Sequence, residues 1–192
     1  MTMASGPDAR PTDELACAEA TLAVLRKVVH TIAHDDLSKQ TPCREFDVRQ
    51  LTNHLMNSIT TIGKAAGAEF PERDESESVE RQVVLAARPA LDAWHDRGLE
   101  GTATIGPNEA PAKMLVAILS IEFLVHAWDY AKATGHAVDA PDSVADYVMG
   151  LAEQIITPQG RTDVGFDQPV PMPDDAGVFE RLIAYTGRRP TG

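Results

Sequence analysis

The sequence is short of cysteine and of positive charge, and both shortages exclude functions. Its two cysteines, Cys17 and Cys43, form neither a disulfide framework nor a cysteine-based metal spacing, which predicts a reducing, cytoplasmic location. Asp and Glu number 29 against 17 Lys and Arg, so the formal net charge is -12. A chain this acidic repels phosphate backbones, and we expect no nucleic-acid partner.

Long apolar runs and common catalytic motifs are also missing. No apolar stretch reaches the roughly 18 residues that a membrane-spanning helix requires. The N-terminal segment "MTMASGPDARPTDE" lacks a basic region followed by an apolar run. We therefore expect neither a membrane span nor a signal peptide. The sequence also has no glycine-rich phosphate loop and no Gly-x-Ser-x-Gly nucleophile elbow.

What is present fits one globular domain with a hydrophobic core. The chain has 192 residues, of which 43% are apolar and only 5% aromatic, and alanine is frequent, which favours helix. We interpret residues 1–11 as a flexible leader and residues 12–190 as a single domain.

Apolar residues recur at helical spacing in six segments, four of them long. The first helix starts at Thr12 or Asp13 and runs past Ile32, and the second starts at a capping box formed by Asp47 and Gln50. The other helices are expected at about 76–97, with a kink at Pro89, at about 111–134, at about 142–156 and at about 175–186. The segment "GLEGTATIGPNEAP" is expected to be a loop with a short extended piece. The pattern predicts an all-α fold, a bundle of four long helices with extra short C-terminal helices.

Three ionisable residues interrupt the most apolar of these segments, "MLVAILSIEFLVHAWDY". Glu122 and His126 are four residues apart, and Asp129 follows three residues later. Because residues three, four and seven apart share one face of a helix, all three lie on one stripe. A carboxylate among apolar neighbours costs several kcal/mol unless hydrogen bonds or a cation compensate it.

Two interpretations of this stripe remain open from spacing alone. Glu122 can form a structural pair with protonated His126 or with a neighbouring helix. Alternatively, a carboxylate and an imidazole one turn apart can chelate a divalent metal ion. His54, on the apolar side of the second helix, is either a satisfied core histidine or a third ligand. With His54, the set His54, Glu122 and His126 matches the three-ligand pattern of catalytic zinc sites.

Two other features compete for a functional role. His30 and His34 form a His-x-x-x-His spacing near the end of the first helix, but they lie off its apolar stripe, and we interpret them as solvated. Cys43 follows Pro42 and can act as a nucleophile, but no nearby residue in the sequence lowers its pKa. We interpret Cys43 as a packing residue.

The segments "TPCREFDVRQLTNHLMN", "IEFLVHAWDYAKATG" and "FERLIAYTGRRP" together resemble the DinB/YfiT-like metal-binding helical bundles. The resemblance covers about residues 12–190 and is closest to the actinobacterial branch that contains mycothiol-dependent maleylpyruvate isomerase and mycothiol S-transferases. It implies a four-helix bundle of up-down-down-up topology, with zinc held by His54, Glu122 and His126. The family's usual tryptophan after "TPC" is replaced here by Phe46.

The resemblance implies an enzyme that uses a small thiol. The maleylpyruvate isomerases carry a further C-terminal domain that these 192 residues do not contain, which argues against that isomerisation. We therefore expect a mycothiol-dependent S-transferase whose partners are a small-molecule thiol and an electrophile. Asp129 would then orient a ligand histidine, act as a fourth ligand, or carry charge at the helix end.

Two other functions stay open. A hydrolase would use the same metal to activate water, with Asp129 as a base. A non-catalytic bundle would bind a metal ion or small ligand as a sensor. His₂Glu ligation suits zinc, but nickel, iron and manganese accept it as well. A homodimer formed through an outer helix face is a further expectation.

Overall fold

A computed structural model describes residues 9–161 and 166–190 and is mostly helical. Its described residues form six α-helices and one two-stranded antiparallel sheet. The elements are, in chain order, α1 Glu14–Val29, α2 Val48–Ala65, α3 Val79–Arg97, β1 Thr102–Ile105, β2 Asn108–Pro111, α4 Ala112–Thr134, α5 Asp142–Ile155 and α6 Val178–Tyr185.

Local sequence signals explain where several helices begin and end. Asp47 accepts from the Gln50 N–H at 2.8 Å, and the Gln50 side chain accepts from the Asp47 N–H at 2.9 Å, so the predicted capping box starts α2. At the start of α1 only a single side-chain cap is present, in which Asp13 accepts from the Ala16 N–H. Gly135 ends α4 in the left-handed conformation that glycine adopts without a steric cost.

Three expectations match the structure only in part. The first helix ends at Val29, before Ile32, and a short 3-10 turn at His34–Asp36 follows. The expected loop after α3 is the hairpin formed by β1 and β2, in which Thr102 pairs with Pro111 and Ile105 with Asn108. Part of the expected leader also packs on the domain, because Pro11 is buried and Arg10 pairs with Asp146; residues 1–8 lie outside the described part.

Helix α4 runs through the middle of the core. It packs against α1, α2 and α5, while α3 packs on α1 and α2. From Leu119 to Ala131, every α4 residue except Glu122 is buried. Because α4 is enclosed by other helices, any polar group on it must find partners inside the protein.

By length and composition, α4 is the one described helix that meets the requirements for crossing a membrane. However, 83% of its most apolar window is buried inside the protein. Its apolar residues are therefore already covered by the other helices, as in the core helix of a soluble protein. The predicted cytoplasmic location stays a prediction.

Candidate metal centre

His54 of α2 faces Glu122 and His126 of α4. The Glu122 Oε2 atom lies 3.1 Å from His54 Nε2 and 3.4 Å from His126 Nε2. One ligand atom from each residue can be chosen so that all three lie within 4.8 Å of one another. Helices α2 and α4, which are distant in the sequence, thus bring their histidines to the same Glu122 oxygen.

Neighbouring contacts fix the two helices and the His54 ring. Thr52 Oγ1 and Tyr130 Oη are 2.9 Å apart and join α2 to α4 in the core. The Phe46 ring stacks on His54 with the ring centroids 5.2 Å apart and the planes at 26°. Phe46 is itself fixed because its carbonyl accepts from the Thr41 N–H at 3.1 Å.

The donor set fits a divalent cation. Three ligands at about 2.0–2.2 Å from a tetrahedral ion lie about 3.3–3.6 Å from one another. The separations of 3.1 and 3.4 Å from the Glu122 oxygen are close to this range, and all three ligand atoms lie within 4.8 Å of one another. These three residues can therefore hold a metal ion.

Asp129 holds the His126 ring in one orientation. His126 Nδ1 donates to Asp129 Oδ2 at 2.9 Å, which leaves Nε2 directed at Glu122. Asp129 is fully buried, so it is not a helix-end charge near solvent. Of the three roles considered for Asp129, its contacts favour orienting a ligand histidine.

Arg188, in the segment after α6, completes this chain of contacts. Its Nε and Nη2 atoms donate to the two oxygens of Asp129, both at 2.7 Å, and its side chain is only 10% exposed. The paired geometry is the bidentate arrangement in which arginine binds a carboxylate most strongly. Both oxygens of Asp129 are therefore occupied, which leaves no free oxygen for the base that a hydrolase would need.

Gly187 allows Arg188 to reach this position. It has a φ of +86°, in the left-handed region, and the chain there runs against Asp167. A Cβ added at Gly187 would lie 2.8 Å from the Asp167 carbonyl carbon and 2.9 Å from its Cα, closer than packed atoms approach. Only glycine meets both requirements.

Coupling within the centre shifts the pKa values of its buried groups. Burial alone would lower the pKa of His126, but the Glu122 and Asp129 carboxylates raise it to about 9. Burial alone would raise the pKa of Glu122, but the two imidazoles lower it strongly. Burial would likewise raise the pKa of Asp129, but Arg188 and His126 hold it below its usual range. Without a metal ion, the centre therefore retains a proton between His126 and Glu122 well above neutral pH.

The centre is open on one side. The His54 side chain is 37% exposed, whereas those of Glu122 and His126 are 13% and 7% exposed. The side of the centre that faces solvent is therefore the α2 side, at His54.

His30, His34 and Cys43, which competed for a functional role in the sequence, do not belong to this group of three residues. His30 pairs with Glu80 at 2.7 Å on the surface, and His34 is exposed, in keeping with the solvated interpretation. Cys43 is half-buried, and burial raises its pKa, although the nearby Arg188 opposes this. Among the described residues, neither His30 nor Cys43 belongs to a group that could hold a metal ion.

Sequence reasoning did not single out Arg188. The buried carboxylate at Asp129 was a signal that a cation must lie nearby. It gave no means of choosing among the 17 Lys and Arg residues, because Arg188 is 59 positions away along the chain.

Comparison with known proteins gives relatives without an assigned activity. Over 157 residues the chain is 27% identical to the uncharacterized proteins MT0763 and Rv0738, from two strains of Mycobacterium tuberculosis. The similarity covers 80% of this chain and 86% of each relative. No family model and no solved structure matches the chain.

Proposed function

We propose that this protein binds a divalent metal ion through His54, Glu122 and His126 and that it is a metal-dependent thiol S-transferase. The observation that carries the metal proposal is the convergence of two imidazole nitrogens on one oxygen of the largely buried Glu122 carboxylate, at 3.1 and 3.4 Å. Zinc is the metal that His₂Glu ligation suits best. The thiol and transfer parts depend on the resemblance to the DinB/YfiT-like bundles, whose actinobacterial branch uses mycothiol.

The packing of the helices supports the fold part of this proposal. Each of α1, α2, α3 and α4 packs against two of the other three, in the cyclic order α1, α3, α2, α4. This is the arrangement that a four-helix bundle requires. The proposed centre lies between α2 and α4, the helices on which the family's ligands are expected.

The residues around the centre have separate tasks in this proposal. When bound, a divalent ion would lower the pKa of a thiol that it coordinates, so that the nucleophilic thiolate forms at neutral pH. Asp129 and Arg188 keep the His126 ring oriented, and Glu122 supplies the negative charge that draws a cation into an apolar core. His54 lies at the exposed side, where the thiol and the electrophile would enter.

The same contacts weaken the hydrolase hypothesis in the form that used Asp129 as a base. An Asp129 carboxylate paired with Arg188 through both oxygens, with a lowered pKa, is a poor proton acceptor. We therefore retain thiol transfer as the proposed reaction.

Metal analysis of the freshly purified protein tests the first part. The wild-type protein should contain about one divalent ion per chain, and His54→Ala, Glu122→Ala and His126→Ala should each remove it, because three ligands are needed for tight binding. His30→Ala and His34→Ala serve as matched controls and should keep the metal. Equal metal content in all five variants would contradict the assignment.

Thiol consumption tests the second part. The metal-loaded protein is incubated with mycothiol and chlorodinitrobenzene, and loss of free thiol is followed over time. Consumption that depends on the metal and on His126 supports the transferase. Hydrolysis of an ester without thiol would favour the hydrolase instead, and tight metal binding with neither activity would favour a sensor.

A further inference from the structure

A cleft with a basic lining is bounded in part by Arg188, and none of the three proposed metal ligands lines it. Its volume is about 780 Å³, and four cationic side chains line it, namely Arg44, Lys132, Arg188 and Arg189. We refer to it as the basic cleft. The whole chain has a formal net charge of -12, so a local excess of positive charge here is opposite to the general composition.

The charges of the basic cleft are only partly neutralised. Arg188 is paired with Asp129, and Arg44 contacts Asp167 at 2.9 Å. Asp167 is the only carboxylate among the described residues that line the cleft. Within the described part of the chain, Lys132 and Arg189 have no carboxylate partner at all.

The rest of the lining is suited to an apolar body. Trp128 forms part of the wall, and the Lys132 ammonium lies 5.6 Å from the centre of its ring. Pro42 and a proline-containing stretch at 169–171 also line the cleft. Small-molecule sites typically have volumes of roughly 300–1,000 Å³ and combine apolar walls with a few charged groups. The basic cleft has both properties.

We infer that the basic cleft binds a small organic anion, with its acidic group held by Lys132 and Arg189 and its apolar body against Trp128. This inference goes beyond the proposed metal site, because none of His54, Glu122 and His126 lines the cleft. A carboxylate and a phosphate monoester share the chemistry that two cations recognise, so the headgroup is to be distinguished by experiment.

Calorimetric titration of the full chain tests this inference with three probes that share one ring. Benzoate and phenyl phosphate carry a negative charge, whereas benzamide is neutral. At least one of the two anions should bind, and benzamide should bind at least about tenfold more weakly, because it lacks the charge that Lys132 and Arg189 recognise. The tighter anion identifies the headgroup.

Charge-removing variants locate the site. Lys132→Gln and Arg189→Gln should each weaken anion binding by about tenfold, and the double variant should abolish it. Lys113→Gln removes the same charge from an exposed position near the other end of α4 and should have no effect. Failure of both anions to bind, equal binding of benzamide, or unchanged binding in the double variant would each overturn the inference.

The metal proposal and the cleft inference can fail separately. The titration is performed on the protein as purified and again after dialysis against a chelator, with the metal content measured each time. Anion binding that survives the removal of metal and is lost in the double variant supports the cleft, whatever the metal analysis gives. Anion binding that requires metal and persists in the double variant would place the anion on the metal ion and overturn the inference.

Discussion

Histidine–carboxylate pairs occur both on the surface of this protein and in its interior, and the shorter contacts are on the surface. His30 lies 2.7 Å from Glu80, and His95 lies 2.7 Å from Glu19. The His30 and His95 side chains are 74% and 51% exposed. In such places, water competes with the contact and salt screens it, so each pair contributes little to stability.

The interior group is distinguished by convergence and burial rather than by distance. Two imidazoles approach the same Glu122 oxygen at 3.1 and 3.4 Å, although each contact is longer than the surface ones. Because water is largely excluded there, the charges must be compensated by a proton, a cation or the protein itself. The difference teaches that a candidate metal site is recognised by how many donors share one buried point. The following predictions test this contrast.

The largest effect on stability is expected from Asp129→Ala. This change leaves the Arg188 guanidinium buried without its partner, and removing one member of a buried pair costs about 3–5 kcal/mol. Chemical denaturation with a chelator present measures the loss. The double variant Asp129→Ala with Arg188→Met should recover part of it, because no unpaired charge remains. A loss below about 1 kcal/mol would mean that the interior pair behaves like a surface pair.

The second largest effect is expected on the pH dependence of the stability of the metal-free protein, which the buried His126 should dominate. The His126 pKa is raised from 6.5 to about 9 in the folded state, so its contribution to stability is fully present below about pH 6.5. The contribution is lost as the pH rises through 9, and it is on the order of 3 kcal/mol. Denaturation midpoints measured between these pH values check the slope. In His126→Gln the slope should flatten, and a flat wild-type profile would contradict the proposed coupling.

Arg188→Met should weaken metal binding without removing a ligand. Loss of the group that orients a ligand histidine typically lowers metal affinity by about 10–100-fold. Competition with a chromogenic chelator measures the affinity. Arg188→Lys should give an intermediate value, because lysine keeps the charge but not the paired donors. The neighbouring variant Arg189→Met is the control, and an equal loss of metal affinity there would argue against a specific role for Arg188.

The smallest effect is expected at the surface. Glu80→Ala removes the partner of His30 and should cost less than about 1 kcal/mol, with the difference shrinking further at high salt. The same denaturation assay applies. A loss above about 2 kcal/mol would show that contact distance matters more than burial, contrary to the comparison above.

Features that depend on neighbouring residues could be predicted from the sequence. The start of α2 follows from Asp47 and Gln50, three residues apart, and the end of α4 follows from Gly135. The shared face of Glu122 and His126 is likewise a property of one helix. Because both residues lie on one helix, their proximity could be predicted without knowing the tertiary structure.

Features that depend on distant residues could not be predicted in the same way. The grouping of His54 with Glu122 depends on the ligand count of catalytic zinc sites and on the family resemblance, because nothing in local spacing brings positions 68 apart together. Arg188 was not singled out because any of several cations could have neutralised Asp129. The hairpin of β1 and β2 was expected only as a loop with an extended piece. Its strands are four residues long, which is too short for a clear alternation of apolar and polar residues.

The turn at Gly187 matters for the geometry of the candidate metal centre, although Gly187 is not one of the three proposed ligands. Both the left-handed backbone and the lack of space beside Asp167 exclude every L-residue with a side chain. A substitution there would displace Arg188, and through Asp129 it would loosen His126. If the proposed metal site is functional, we therefore expect substitutions at Gly187 to be tolerated as poorly as substitutions at the proposed ligands themselves.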